Sequence, residues 1–154
     1  MKKIISLVFV LAIVCTVFAG CSNSKNVDLS AVMEEINSKF SISGLTVVDD
    51  VQKLNRYYQI EEADVKQYAA EFSTDATKFM EIVLVEANDS QTLSKITTLL
   101  NNHLDSRISE GKSYSPESVE MLEKCSVKTY GNYATLIISD NASDIDEFFA
   151  SKVK

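Results

Sequence analysis

Two short segments rich in apolar side chains constrain the fold of this chain more than any other feature. They cover residues 80–85 and 133–139. Alternate side chains of a strand point to opposite faces, and both segments are apolar at odd and at even positions. Because an exposed apolar face invites association, the segments predict two central strands of a sheet that is covered on both faces.

A more polar segment precedes each central strand, over residues 68–73 and residues 125–130. The intervening turns at residues 74–78 and 131–132 are short enough for antiparallel hairpins, so the polar segments are predicted to be edge strands. A helical pattern follows each hairpin. Asn, Asp and Ser stand before both patterns, at residues 88–90 and 141–143, and they favour capped helices.

The remaining helices follow from apolar spacing. Residues 29–40 and 51–58 repeat at helical intervals, with Gly44 as a break between them. Gly111 predicts the end of the long helix that begins near residue 90. The sequence therefore predicts an α+β fold, with an N-terminal helical pair, then β-β-α-β-β-α, and a four-stranded antiparallel sheet packed by helices. If both hairpins lead into their helices in the same way, the long and the last helix cover one face. We then expect the N-terminal pair to cover the other face, with a partner molecule as the alternative.

The first residues have the composition of a secretory signal. Met1-Lys2-Lys3 is basic, residues 4–18 are almost entirely apolar, and the small pair Ala19-Gly20 precedes Cys21. The apolar run has about 15 residues, whereas a membrane-spanning helix needs about 20. The pattern therefore indicates a signal peptide over residues 1–20.

Phe18-Ala19-Gly20-Cys21 resembles the bacterial lipobox, in which the cysteine is lipidated and becomes the new N-terminus. The resemblance implies cleavage between Gly20 and Cys21 and attachment to Cys21 of a diacylglycerol whose two acyl chains are of the palmitate type. Residues 21–27 are then the lipidated cysteine and a short tether, and residues 28–154 are expected to form a single α+β domain. Two acyl chains would anchor that domain stably to the outer face of the cytoplasmic membrane, on the extracellular side.

The charge of the processed chain argues against a nucleic-acid partner. Removal of residues 1–20 from the 154-residue chain leaves 134 residues and takes away two lysines. Thirteen basic side chains then face 22 acidic ones, a formal charge of −9. Such a surface is repelled by phosphate backbones.

No catalytic, metal or cofactor site is predicted from the side chains. His103 is the one histidine, and we expect a boundary residue with one polar partner. Cys125 is left without a disulfide partner and is expected to pack in the interior. The acidic residues between 140 and 147 are expected to complement a helix N-terminus, with a calcium site as the alternative. Glu61, Glu62 and Asp64 are expected in a solvated turn, with an acid–base pair as the alternative.

Three short motifs, Glu81-Ile82-Val83, Tyr114-Ser115-Pro116 and Gly131-Asn132-Tyr133, stand at recognisable spacings. Together with the lipobox and residues 58–65, they make the chain similar to domain-of-unknown-function family 4358. These are small lipoproteins of Gram-positive, mainly anaerobic, bacteria. The resemblance implies an extracellular lipoprotein and carries over no activity and no catalytic residue.

These observations favour a monomeric, non-catalytic module that binds a protein, peptide or wall component at the cell surface. The alternative is a small hydrolase that acts on cell-wall or peptide substrates. A deep pocket that holds His103 with a carboxylate would favour the enzyme. A flat tyrosine-bearing or apolar patch would favour the binding module.

Overall fold

The computed structural model describes residues 25–75 and 78–154. The predicted signal peptide, the cleavage site between Gly20 and Cys21 and the lipid on Cys21 lie outside the described residues. The helices are α1 (Leu29–Lys39), α2 (Val51–Tyr58), α3 (Ser90–Tyr114), α4 (Val119–Lys124) and α5 (Ala142–Val153). The strands are β1 (Thr46–Val47), β2 (Val65–Phe72), β3 (Glu81–Ala87), β4 (Val127–Tyr130) and β5 (Tyr133–Ile138), and 3₁₀ turns lie at Glu62–Asp64 and Pro116–Ser118.

The strands form one antiparallel sheet in the order β1-β2-β3-β5-β4. The two apolar strands β3 and β5 are neighbours at its centre, and Val83 lies opposite Leu136. All residues of both strands are buried. This burial explains why apolar side chains point to both faces of the sheet along these two strands. The α+β class, the two hairpins and the central position of these strands are thereby confirmed.

The prediction of four strands was wrong, because the sheet has a fifth strand, β1. It contains only Thr46 and Val47, which pair with Phe72 and Glu71 of β2. Both residues of β1 are exposed, so no alternation of apolar and polar side chains marks the strand in the sequence. β1 lies at the edge of the sheet and covers one end of β2.

Each face of the sheet packs against its own set of helices. On the first face, which we call the α3 face, Val83, Val85 and Leu136 contact apolar residues of α2, α3 and α4. On the second face, which we call the α1 face, Ile82 and Leu84 contact apolar residues of α1 and α5. Both faces of the central strands are therefore covered from within the described part of the chain.

The expected pairing of helices was wrong, because α3 and α5 lie on opposite faces and the N-terminal pair is divided between them. The two hairpin exits differ by one residue, since two residues connect β3 to α3 and three connect β5 to α5. Successive residues at a strand end point to opposite faces, and an apolar stripe on a helix does not specify which face it will cover.

The predicted end of the long helix at Gly111 was also wrong, since α3 continues to Tyr114. Gly111 is buried, and a Cβ atom at this position would lie 2.8 Å from Leu122 Cδ1. The glycine therefore permits α4 to pack closely against α3 and does not end the helix. None of the helices in residues 25–75 and 78–154 is long and apolar enough to span a membrane.

Candidate functional site

A buried carboxylate at the start of β3 contacts an arginine, the histidine and an aromatic side chain on the α3 face. Glu81 is 3% exposed, and its Oε2 atom lies 2.7 Å from His103 Nε2. Its Oε1 atom lies 2.7 Å from Arg107 Nε in an ion pair that lacks hydrogen-bond geometry. Arg107 also pairs with Glu110 and stacks over the ring of Phe79, with 4.6 Å from its Cζ to the ring centroid. Burial and pairing thus fix the carboxylate in one orientation.

Tyr58 closes this cluster from α2. Its hydroxyl donates a long hydrogen bond, 3.5 Å, to Glu81 Oε2, and its ring lies 4.8 Å from the His103 ring between centroids. Burial, and then the charge of Glu81, raise the pKa of the Tyr58 hydroxyl well above its usual value, so the phenol stays protonated. The prediction of one polar partner for His103 is confirmed, and that partner is a carboxylate.

Sequence analysis missed this cluster, although the sequence carries a signal for it. His103 and Arg107 are four residues apart on a predicted helix, so they share a face. Glu81 is the one carboxylate within the predicted central strand of residues 80–85. A charge in such a strand needs a partner, because an unpaired buried charge is costly. Matching the carboxylate of this strand to the two residues on the helix could therefore have predicted that the three side chains pair across the sheet–helix interface.

The second candidate site is the outer edge of β2. β1 pairs with Phe72 and Glu71, and Val48 N–H donates to Ala70 C=O at 2.8 Å. In the described part of the chain, no strand pairs with the outer side of β2 before Ala70. A sheet edge of this kind presents backbone donors and acceptors that another extended chain can pair with.

A groove of about 620 Å³ runs along this edge. One wall comes from α1, the other from residues 47–51, and β2 forms the floor from Val65 to Glu71. Tyr68 lies in the floor, half-buried, and packs against the core of the α3 face. In the groove, a half-buried tyrosine side chain therefore lies beside strand backbone that has no strand partner in the described residues.

The groove is acidic. Four carboxylates, Glu34, Asp49, Glu62 and Glu71, and one ammonium group, Lys66, line it. Burial raises the pKa of the Tyr68 hydroxyl, and the charges of Asp50, Asp49 and Glu62 raise it further. The hydroxyl therefore lies within the negative field of these side chains, and a cation would be attracted to the same place.

The acidic run at residues 140–147 does not form a ligand cluster. Asp146 is 4% exposed and is held by Tyr130, Thr135 and Lys128, at 2.5, 3.0 and 2.9 Å. No group of three potential metal ligands occurs among the residues that the structure describes. Asp144 lies in the first turn of α5, where an acidic residue was expected to complement the helix N-terminus. The capping prediction for residues 141–143 was wrong, because the Asn141 side chain makes no capping hydrogen bond to α5.

Of the other residues singled out in the sequence, Glu62 lines the groove, whereas Cys125, Glu61 and Asp64 lie outside the groove and the Glu81 cluster. Cys125 is buried, and its thiol donates to Met121 C=O at 3.3 Å; burial raises its pKa. Glu61 and Glu62 are exposed, as expected of a turn. The expectation was wrong for Asp64, which is buried and accepts a 2.7 Å hydrogen bond from Lys95.

Comparison with known proteins yields one match. The sequence model of a family described as a domain of unknown function, DUF4358, matches residues 38–139. This range contains the whole sheet, α2, α3 and α4, whereas all but the end of α1, and all of α5, lie outside it. No curated protein and no solved structure matches the chain.

Proposed function

The chain belongs to the family DUF4358, whose function is unknown, and from that premise we propose that it is a lipid-anchored extracytoplasmic binding module. In this proposal, a lipid on Cys21 anchors the chain to the outer face of the cytoplasmic membrane. The module binds a protein, peptide or wall component there and catalyses no reaction. It acts as a monomer and does not bind nucleic acid.

The composition of the first 21 residues supports the location. A basic start, an apolar run of about 15 residues and the sequence Phe18-Ala19-Gly20-Cys21 are typical of an exported lipoprotein. The acidic surface supports the exclusion of nucleic acid, since 22 carboxylates outnumber 15 basic side chains even before processing.

The groove at the β2 edge is the observation that carries the binding role. It combines unpaired strand backbone, a half-buried tyrosine and an excess of carboxylates, all of which recognise other molecules without bond breaking. By contrast, both oxygens of Glu81 are engaged by neighbouring side chains, an arrangement that stabilises a fold.

The location is tested by growth on labelled fatty acid. Cys21→Ser should abolish incorporation of the label and leave the longer precursor, whereas Cys125→Ser should leave both unchanged. Label on the Cys21→Ser chain would contradict the proposed anchor.

The binding role is tested by cross-linking on living cells. A photo-reactive group at Tyr68 should capture a partner, and the same group at Tyr114, 80% exposed and outside the groove, should not. Equal capture at the two positions would contradict a binding role for the groove.

One observation favours the alternative, a small hydrolase. His103 is paired with the carboxylate of Glu81, as a catalytic base is when a second group orients it. Incubation of the purified chain with wall fragments and with a peptide mixture should yield no cleavage products by mass spectrometry. Cleavage that disappears in His103→Gln, with the fold retained, would establish the hydrolase and overturn the binding module.

A further inference from the structure

We propose that the outer edge of β2 receives an extended, lysine- or arginine-bearing segment of a partner protein or peptide as an added strand. This inference rests on the proposed function and names the class of partner. The partner segment would lie in line with β1 and continue the pairing that β1 begins.

The direction of the backbone groups supports strand addition. The carbonyl of Ala70 points outwards, because it accepts from Val48 N–H. The N–H and C=O of one strand residue point to the same side, and alternate residues repeat that direction. Tyr68 therefore also directs its donor and acceptor to the open edge, next to the last bond made by the β1 segment. The backbone N–H and C=O of Tyr68 are therefore already oriented to pair with a partner strand.

The charge of the groove selects a cationic segment. Lys66, the ammonium group in the lining, pairs with Glu86 at 3.3 Å. Lys95 pairs with Asp64 and Lys152 with Glu35, so neither neutralises Glu62 or Glu34. Within the described residues, Glu34 on the α1 wall and Glu62 in the 3₁₀ turn before β2 are therefore without an ion-pair partner, whereas Asp49 on the other wall pairs with Lys53. Lysine or arginine side chains that alternate along an added strand would reach them.

The same charges disfavour a second copy of this chain. Two β2 edges in an antiparallel pair would bring Glu34 and Glu62 of one copy towards the same residues of the other. Like charges that face each other across an interface are destabilising. A β-bulge between Val65 and Gln67 restricts regular pairing at this edge to the residues that follow it, for a second copy and for a partner strand alike. The occupant is therefore a partner of opposite charge.

The experiment uses the full chain in detergent and a fluorescent peptide of alternating valine and lysine. Fluorescence anisotropy should show saturable binding. The matched peptide of valine and glutamate should not bind, which would demonstrate the charge requirement. The valine–lysine peptide with N-methyl groups on its backbone amides should also fail, because it cannot donate strand hydrogen bonds. Equal binding of the methylated peptide would overturn strand addition.

Variants locate the site. Glu34→Lys with Glu62→Lys should weaken peptide binding by about tenfold or more, since two charge reversals act at a partly enclosed groove. The control, Asp105→Lys with Glu147→Lys, changes the net charge equally at exposed positions outside the groove and should change binding by less than about twofold. An equal loss in both variants would show non-specific attraction and would overturn the assignment.

The outcomes separate this inference from the proposed function. If the peptide does not bind but the Tyr68 photo-cross-linker still captures a partner on cells, the proposed binding function stands. The inference that a cationic segment binds as an added strand is then wrong. If neither occurs, the binding function itself is wrong. Self-association of the wild-type chain that is lost in the Glu34→Lys, Glu62→Lys variant would assign the edge to a second copy and overturn the proposal.

Discussion

Glu81 shows how a single charged residue is accommodated between two apolar layers. It stands where β3 begins, faces α3 and is nearly inaccessible to water. His103 and Arg107, one turn apart on α3, hold its two oxygens. A buried charge of this kind contributes specificity when all its partners are present and destabilises the fold when one is missing.

Glu81→Gln should lower the free energy of unfolding by about 3 kcal/mol, because Arg107 loses its buried carboxylate partner and keeps only the more exposed Glu110. The control is Glu110→Gln, which removes the other partner of Arg107 at a position where the carboxylate is 42% exposed. That change should cost less than about 1 kcal/mol. Urea denaturation measures both values, and equal losses would show that the buried cluster is not specially stabilising.

The thiol of Cys125 should react slowly in the folded protein. Burial raises its pKa and so lowers the thiolate population that reacts with alkylating agents. In a chain with Cys15→Ser and Cys21→Ser, labelling by iodoacetamide should be about tenfold or more slower than after unfolding in urea. Ser113→Cys, at an exposed position on α3, provides the fast control. A Cys125 rate equal to that control would identify a reactive site.

At the scale of secondary-structure elements, short polar signals determined where helices begin. Asp89 precedes α3, and its carboxylate accepts from the backbone N–H of Thr92 at 2.8 Å. Asp28 and Asp50 do the same for α1 and α2. Three of the five helix starts are thus satisfied locally, which is why the sequence located them well.

Asp89 should make the stability of α3 depend on pH. The hydroxyl and the N–H of Thr92 lower the pKa of the Asp89 carboxyl in the folded state. The stabilisation that Asp89 provides is therefore complete above the pKa of the unfolded state, about 3.9. It is lost as the pH falls through the lower pKa of the folded state. Asp89→Asn should remove that acid-dependent part of the thermal midpoint, while Asp105→Asn, on the same helix, should leave it unchanged. Identical acid profiles for wild type and Asp89→Asn would contradict this account.

The elements that sequence reasoning missed depend on contacts between distant residues. β1 is a strand only because Thr46 and Val47 pair with residues 71 and 72, and nothing local distinguishes the two. In the sequence, Gly111 is typical of a helix end. The structure shows instead that Leu122 packs in the space that a side chain at position 111 would occupy. The open edge of β2, and therefore the candidate groove, exists because β1 is short. The local pattern of apolar and polar residues could predict the central strands and most helices. It could not predict the open edge of β2, because that edge depends on how short the neighbouring strand β1 is.

The whole molecule has two distinct ends along the strand direction. At one end, Lys25 N–H donates to Val153 C=O at 2.9 Å, and the Tyr133 hydroxyl donates to Lys25 C=O at 3.1 Å. α3 also begins at this end, because it follows β3, whose last residue pairs with Asn132. The 25 residues of α3 rise about 1.5 Å each, so Tyr114 lies about 37 Å away at the opposite end.

This geometry predicts how the molecule would stand on a membrane if Cys21 carries the lipid. Three residues lie between Cys21 and Lys25, so the two Cα atoms are four steps of at most about 3.6 Å apart, and the lipid is attached within about 14 Å of Lys25. The C-terminus of α5 should then face the headgroups, and Tyr114 should face away from them.

Fluorophores on Lys154→Cys and Tyr114→Cys, each combined with Cys125→Ala, test this orientation in vesicles that contain nitroxide-labelled headgroups. Both positions are exposed, so labelling should leave the fold intact. The fluorophore at position 154 should be quenched strongly, because it lies near the tether, and the one at position 114 should be quenched weakly. Both signals should become insensitive to the nitroxide in a chain without residues 1–21, which lacks both the apolar run and the lipid. Equal quenching at the two positions in the anchored chain would mean that the molecule lies flat or tumbles on its tether, and it would contradict the upright orientation.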